Sequence, residues 1–91
     1  MSNKVHCAHI LVKREKEAKI ILERLKKGEK FATIARNVSL CPSGKRCGDL
    51  GTFTRGKMVK EFENAAFSLK KGEISAIVKT KFGYHIIKRL D

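Results

Sequence analysis

The sequence predicts an α+β domain, an antiparallel sheet covered by helices. Three observations predict it. A stretch near the start reads as a strand whose side chains alternate between two faces. Three later stretches carry apolar residues at helical spacing. The end of the chain holds two apolar runs joined by a turn, which pair naturally as an antiparallel hairpin.

Val5 to Val12, VHCAHILV, is apolar-rich, and its period of two puts Val5, Cys7, His9 and Leu11 on one face and His6, Ala8, Ile10 and Val12 on the other. Glu15 to Lys27 is a helix, with Ala18, Ile21, Leu22 and Leu25 along one side; Lys26-Lys27 suit its negative end and Gly28 stops it. Phe31 to Val38 is a second, shorter helix presenting Phe31, Ile34, Ala35 and Val38. Residues 39–48, dense in turn formers and holding the only proline, are a loop.

Leu50 to Thr54 is too short for a helix and reads as a strand. Lys60 to Leu69 is the third helix, ended by Lys70-Lys71-Gly72. Ile74 to Thr80 is a strand region interrupted near Ser75. Lys81-Phe82-Gly83 turns the chain into a closing strand, Gly83 to Leu90, which pairs with Ile77–Lys79. On that last strand His85, Ile87 and Arg89 share one face, and Tyr84, Ile86, Lys88 and Leu90 the other. The order is β-α-α-β-α-β-β.

With 91 residues, residues 1–91 form one domain without room for a second core. A hydrophobic content of 42% with one proline argues for a folded unit. No apolar run approaches the roughly 18 residues of a membrane span, and MSNKVHCAH lacks the apolar region of a secretory signal. The expectation is a soluble, cytoplasmic monomer. Three cysteines, an odd number, do not make a disulfide framework and are expected to be reduced.

The stretch from Gly48 to Phe67, GDLGTFTRGKMVKEFENAAF, organises the rest. Leu50, Met58 and Phe62 cannot share one stripe on one element, but a strand, a turn and a helix can gather them around a small concavity. Polar candidates for the same place are Cys41, His9 and His85.

The residues HILVK at 9–13, CPSGKRCGDLG at 41–51, RGKMV at 55–59, the run FE…AAFSLKKGEIS at 62–75 and FGYHIIK at 82–88 resemble the parvulins, a family of peptidyl-prolyl cis/trans isomerases. The resemblance covers essentially the whole chain in order and spacing. It implies a four-stranded antiparallel sheet surrounded by helices. It also implies a proline-ring pocket of Leu50, Met58 and Phe62, with Phe82 at its rim where some relatives have serine. His9 and His85 match the family's paired histidines, Thr80 a threonine in their hydrogen-bond network, and Cys41 the residue beside the reacting bond. Lys60 and Ile77 stand where relatives commonly carry proline; Glu61 and Glu63 in the first turn offset Lys60 at a helix N-terminus. Phosphate-directed relatives carry an arginine-bearing insertion between the first strand and first helix. Here Val12-Lys13-Arg14-Glu15 passes directly into the helix, so an uncharged or apolar residue before proline is expected.

The implied reaction rotates an amide and breaks no bond, so no cofactor and no metal are called for. Cys7-x-His9 and the Cys41–Cys47 gap match no common structural zinc spacing. The expected substrates are Xaa-Pro bonds in unfolded or flexible segments of proline-containing polypeptides, in support of protein folding. The alternative is a non-catalytic module that binds proline segments or anionic surfaces, although the complete set of matched residues speaks against it.

The net charge of +12, from 21 basic and 9 acidic residues, exceeds what solubility alone asks of a small domain, roughly 2–8. Basic residues recur at Lys13, Arg14, Lys16, Lys19, Lys26, Lys27 and Lys30, and again at Lys70, Lys71, Lys79 and Lys81. They suggest attachment to anionic surfaces, the inner face of a membrane among them. No aromatic-interleaved basic sheet or DNA-reading motif supports nucleic acid as the partner.

Overall fold

The computed structural model describes residues 3–91. Its elements are β1 (Lys4–Val12), α1 (Glu15–Lys26), α2 (Phe31–Val38), a short 3-10 turn (Pro42–Arg46), β2 (Asp49–Thr54), α3 (Lys60–Ser68), β3 (Val78–Thr80) and β4 (Gly83–Arg89). The expected elements are all there, with ends shifted by a residue or so. Two details differ. The 39–48 loop winds into the 3-10 turn, and the 74–80 region is a three-residue strand preceded by a lone bridge from Ile74 to Lys88.

The four strands form one antiparallel sheet in the order β2-β1-β4-β3, so β1 and β4 are central. Alternation along these two strands builds a core on each face. Ala8, Ile10, Val12 and Ile86 pack with Ala18 and Ile21 of α1 and with Phe31, Ile34 and Ala35 of α2. Val5, Cys7 and Ile87 pack on the opposite face with Phe53 of β2 and with Phe62 and Ala66 of α3. The period-two assignments of both strands hold.

The helices carry their own start and stop signals. Glu17 Oε1 accepts the Arg14 backbone N–H at 3.1 Å at the start of α1, and Arg24 and Lys26 lie in its last turn. Lys60 opens α3 with Glu61 and Glu63 in the first turn, and Ile77 packs against the first core, so the fold accommodates both non-proline residues.

Two local features shape the sheet at the site. The β1–β2 register shifts between His6 and Ala8, where Leu50 and Gly51 of β2 stand opposite Cys7 alone, so the irregularity lies on β2 and β1 keeps its alternation. Beyond it, the His9 N–H donates to the Gly48 carbonyl at 2.9 Å. Gly48 has φ +82°, and a Cβ there would lie 2.3 Å from the His9 carbonyl oxygen. No other residue lets the chain pass so close.

Candidate active site

His9 of β1 and His85 of β4 are diagonal neighbours, since Leu11 pairs with His85 and His9 with Ile87. Both project to the α3 face of the sheet. Their Nδ1 atoms are 3.0 Å apart, and the rings lie within 17° of parallel. Phe62 of α3 meets both rings edge-on, with centroids at 5.4 Å from His9 and 5.3 Å from His85.

The histidines are buried, at 5% and 4% exposure. Burial, and then the neighbouring His85, push the His9 pKa down to about 4; burial lowers that of His85 as well. Both rings are therefore neutral near pH 7. The Thr80 hydroxyl oxygen lies 2.6 Å from His85 Nε2 and accepts the Phe82 backbone N–H at 3.1 Å. His9 Nε2 is buried without a hydrogen-bond partner among the described residues.

Over this histidine pair opens a cleft of about 330 Å³. Leu50 from β2, Met58 from the β2–α3 loop and Phe62 from α3 all line it. Cys41 lines it as well, and Phe82, 60% exposed, does so near His85. Thr80 stands behind His85 and reaches the cleft only through it. The structure thus brings together the four polar and four apolar positions singled out in the sequence.

Other positions escaped sequence reasoning. Leu11, Leu40, Pro42 and Val59 also line the cleft. Ser39 Oγ accepts the Leu11 N–H at 3.0 Å, while the Leu40 N–H donates to the Leu11 carbonyl at 2.8 Å; together they fasten the loop that carries Leu40 and Cys41 to the end of β1. The buried Ser43 hydroxyl donates to Cys41 Sγ at 3.1 Å, fixing the direction of the thiol. Small polar residues in a loop read as turn formers, and nothing in the sequence marks these two serines as supports of the site.

Cys7 is sealed in the core, where burial raises its pKa to about 11 and leaves an inert thiol. Among the described residues, no group of three or more His, Cys, Asp or Glu side chains is placed to hold a metal ion, and no helix is long and apolar enough to cross a membrane. His6 and Asp49 tie β1 to β2 at 2.7 Å, outside the cleft. The Asp49 carboxyl is held below its usual range, first by the Gly51 N–H and then by His6, against the opposing effect of desolvation.

The basic residues singled out in the sequence are all exposed and fall into separate groups. Lys13 and Arg14 precede α1, Lys16, Lys19 and Lys26 are on it, and Lys27 and Lys30 follow it. Lys70 and Lys71 follow α3. Lys79 and Lys81 belong to the β3–β4 hairpin, where the Lys81 ammonium lies 5.3 Å from the Phe82 ring centre at the cleft rim.

Residues 9–91 match the Rotamase family, described as the PPIC-type PPIASE domain. The chain is 55% identical over 89 residues to the foldase protein PrsA of Geobacillus kaustophilus, covering 97% of this chain and 32% of that protein. It therefore spans about a third of the length of that relative. Among solved structures it resembles NmPin, the parvulin of Nitrosopumilus maritimus, at 53% identity and a TM-score of 0.89, over 100% of this chain and 99% of the other. It resembles likewise CsPin of Cenarcheaum symbiosum, at 56% identity and a TM-score of 0.87, over 100% and 95% of the two chains.

Proposed function

We infer the function of this chain from its family: it belongs to the PPIC-type peptidyl-prolyl cis/trans isomerases, the parvulins. It catalyses rotation about Xaa-Pro bonds in flexible or unfolded polypeptide segments and so assists their folding. The observation that carries this reading is the cleft itself, a largely apolar space of about 330 Å³ over a neutral, hydrogen-bonded histidine pair.

Resonance holds an ordinary amide planar behind a barrier of roughly 18–20 kcal/mol, and an Xaa-Pro bond isomerises unaided in tens to hundreds of seconds. An enzyme need only bind the twisted amide better than either planar form. Leu50, Met58 and Phe62 clamp the ring, so that the bond turns by movement of the preceding carbonyl. The twisted amide has less charge separation than the planar one, and an apolar cleft favours it. Neutral histidines keep an unpaired charge out of that cleft. The thiol of Cys41, oriented by Ser43, sits where it adjusts polarity beside the rotating carbonyl without forming a covalent bond.

The residue before proline is uncharged or apolar in this reading. Phe82 and Leu40 present apolar surface at the rim, and α1 begins directly after Lys13-Arg14. The test is exchange spectroscopy on Xaa-Pro peptides that differ only in that residue: leucine, alanine, glutamate or phosphoserine. Leucine and alanine are expected to be turned over fastest. A large preference for phosphoserine would overturn the specificity, and no turnover of any peptide by folded protein would overturn the activity.

The exposed cations Lys19, Lys26, Lys27, Lys30, Lys70 and Lys71 support a second role: we propose that the chain acts as a cytoplasmic monomer held on anionic surfaces such as the inner face of a membrane. Basic residues near such a surface contribute about 1 kcal/mol each. Co-sedimentation with anionic vesicles is expected at low salt and not at high salt. Sedimentation that salt leaves unchanged would contradict the electrostatic account.

A further inference from the structure

A second groove adjoins the cleft. It has a volume of about 570 Å³ and lies between the start of α1 and the end of α2. Its base is apolar, made by Val12, Val38 and Ile20, and Leu40 closes the end nearest the cleft. Leu40 lines both spaces, so they adjoin at that side chain. Leu40 and Ile20 are 61% and 52% exposed, and with Phe82 they make three of the four large apolar side chains left exposed among the described residues. Exposed apolar surface is thus concentrated along one path, from the cleft rim over Leu40 into the groove.

The rim of the groove is cationic. Lys13, Arg14 and Lys16 border it, and its one acidic residue, Glu17, is engaged in receiving the Arg14 backbone N–H. Apolar base and basic rim together fit an apolar side chain with carboxylates beside it. Continuity with the cleft says which molecule brings them: a polypeptide whose proline occupies the cleft must leave it along its rim. An extended chain advances about 3.3–3.6 Å per residue, so about two to four residues from the proline suffice to cross Leu40.

We propose that this groove is a second subsite for the substrate polypeptide, taking an apolar residue flanked by acidic residues a few positions from the isomerised bond. This rests on the isomerase reading for what fills the cleft. The two sites, joined by one short stretch of chain, reinforce each other because the second contact is intramolecular. The subsite gives preference among proline-containing segments that the proline pocket cannot distinguish.

The test is a titration of the isotope-labelled full chain, followed by amide chemical shifts. It compares a short blocked Leu-Pro peptide with the same peptide extended by Leu-Glu-Glu on its N-terminal or its C-terminal side. One extended peptide is expected to bind about tenfold tighter than the short one, to shift the amides of Ile20 and Val38, and to lose its advantage in Ile20→Asp. Equal affinity for all three peptides, or an advantage that leaves Ile20 and Val38 unmoved, would overturn the proposal. So would phosphatidylglycerol vesicles perturbing those amides when no extended peptide does, which would assign the groove to lipid. Cis–trans exchange peaks of the bound peptides, read from the same samples, report the isomerase reading separately. Their absence with tail binding intact would defeat that reading and leave the subsite standing.

Discussion

The Nδ1 atoms of His9 and His85 lie 3.0 Å apart although the residues are 76 positions apart in sequence. Two like nitrogens at that distance can share one proton, so one ring donates and the other accepts. The surrounding groups set the direction. If the Thr80 hydroxyl donates to His85 Nε2 and His85 Nδ1–H to His9, only His9 Nε2–H is left without a partner. The reverse order leaves both His9 Nε2 and the Thr80 hydroxyl proton unpartnered. Buried polar groups are costly to leave unpaired, so the relay runs from Thr80 through His85 to His9. Imidazole nitrogen shifts are expected to show His85 protonated at Nδ1 and His9 at Nε2; the opposite tautomers would refute the relay.

Acid should destabilise the fold through this pair. Both pKa values are depressed in the folded state, that of His9 from 6.5 to about 4. The unfolded chain therefore binds more protons as pH falls below about 6.5, and stability declines with it until the folded His9 also protonates near 4, with the depressed His85 acting in the same direction. Within that window His9 alone contributes a slope approaching about 1.4 kcal/mol per pH unit. Urea midpoints should hold steady above pH 7 and fall between pH 6.5 and about 4. A midpoint that rises on acidification through that window would contradict neutral, buried histidines.

Thr80→Val keeps the shape and removes the hydroxyl. It leaves His85 Nε2 and the Phe82 N–H unpaired, an expected loss of about 1–3 kcal/mol by urea unfolding. Turnover should fall as well, because Phe82 and His85 both border the cleft. Thr80→Ser should restore most of both. A serine variant no better than valine would assign the effect to packing.

Much of this arrangement is legible in the sequence, and the reason is periodicity. Alternation places His9 with Val5 and Cys7, and His85 with Ile87, on the α3 face without any knowledge of what lies across the sheet. Helical spacing finds α1, α2 and α3 in the same way. Period alone cannot pair elements distant in the chain; the strand–turn–helix order let Leu50, Met58 and Phe62 meet around one concavity, and the parvulin resemblance then paired His9 with His85 and gave these residues their roles. What escaped both depends on close approach or on local hydrogen bonds. Gly48 reads as a turn residue, while its demanding contact is with the His9 carbonyl; Ser39 and Ser43 act through single hydroxyls in a stretch that looks like any polar loop.

Two glycines on either side of Asp49-Leu50 separate backbone strain from steric contact. Gly48→Ala meets positive φ and a carbonyl oxygen at 2.3 Å, whereas Gly51→Ala meets φ +74° with nothing within 4 Å. The Gly51 variant should lose about 1–2 kcal/mol from left-handed strain alone. The Gly48 variant should lose more and should also reduce turnover, since it displaces His9. Equal losses with unchanged activity in both would show that Gly48 does not position β1.

The pocket wall should divide into structural and binding parts. Phe62 is 3% exposed and central to the second core, so Phe62→Ala should cost about 3–5 kcal/mol as well as activity. Met58 lies half-buried on a loop, and Met58→Ala should chiefly raise KM for Leu-Pro peptides with a smaller loss of stability. Thermal unfolding and exchange kinetics on both variants separate the two. Met58→Ala with unaltered KM would remove Met58 from the proline site.

Isomerase activity requires that this cleft lower the barrier to amide rotation. Magnetisation exchange between the cis and trans forms of an unphosphorylated Leu-Pro peptide, with a catalytic amount of folded protein, measures that directly. The predicted result is exchange within about a second, where the free peptide requires tens of seconds or more. Exchange at the uncatalysed rate, while the amide spectrum shows a folded chain with the peptide in its cleft, would contradict it.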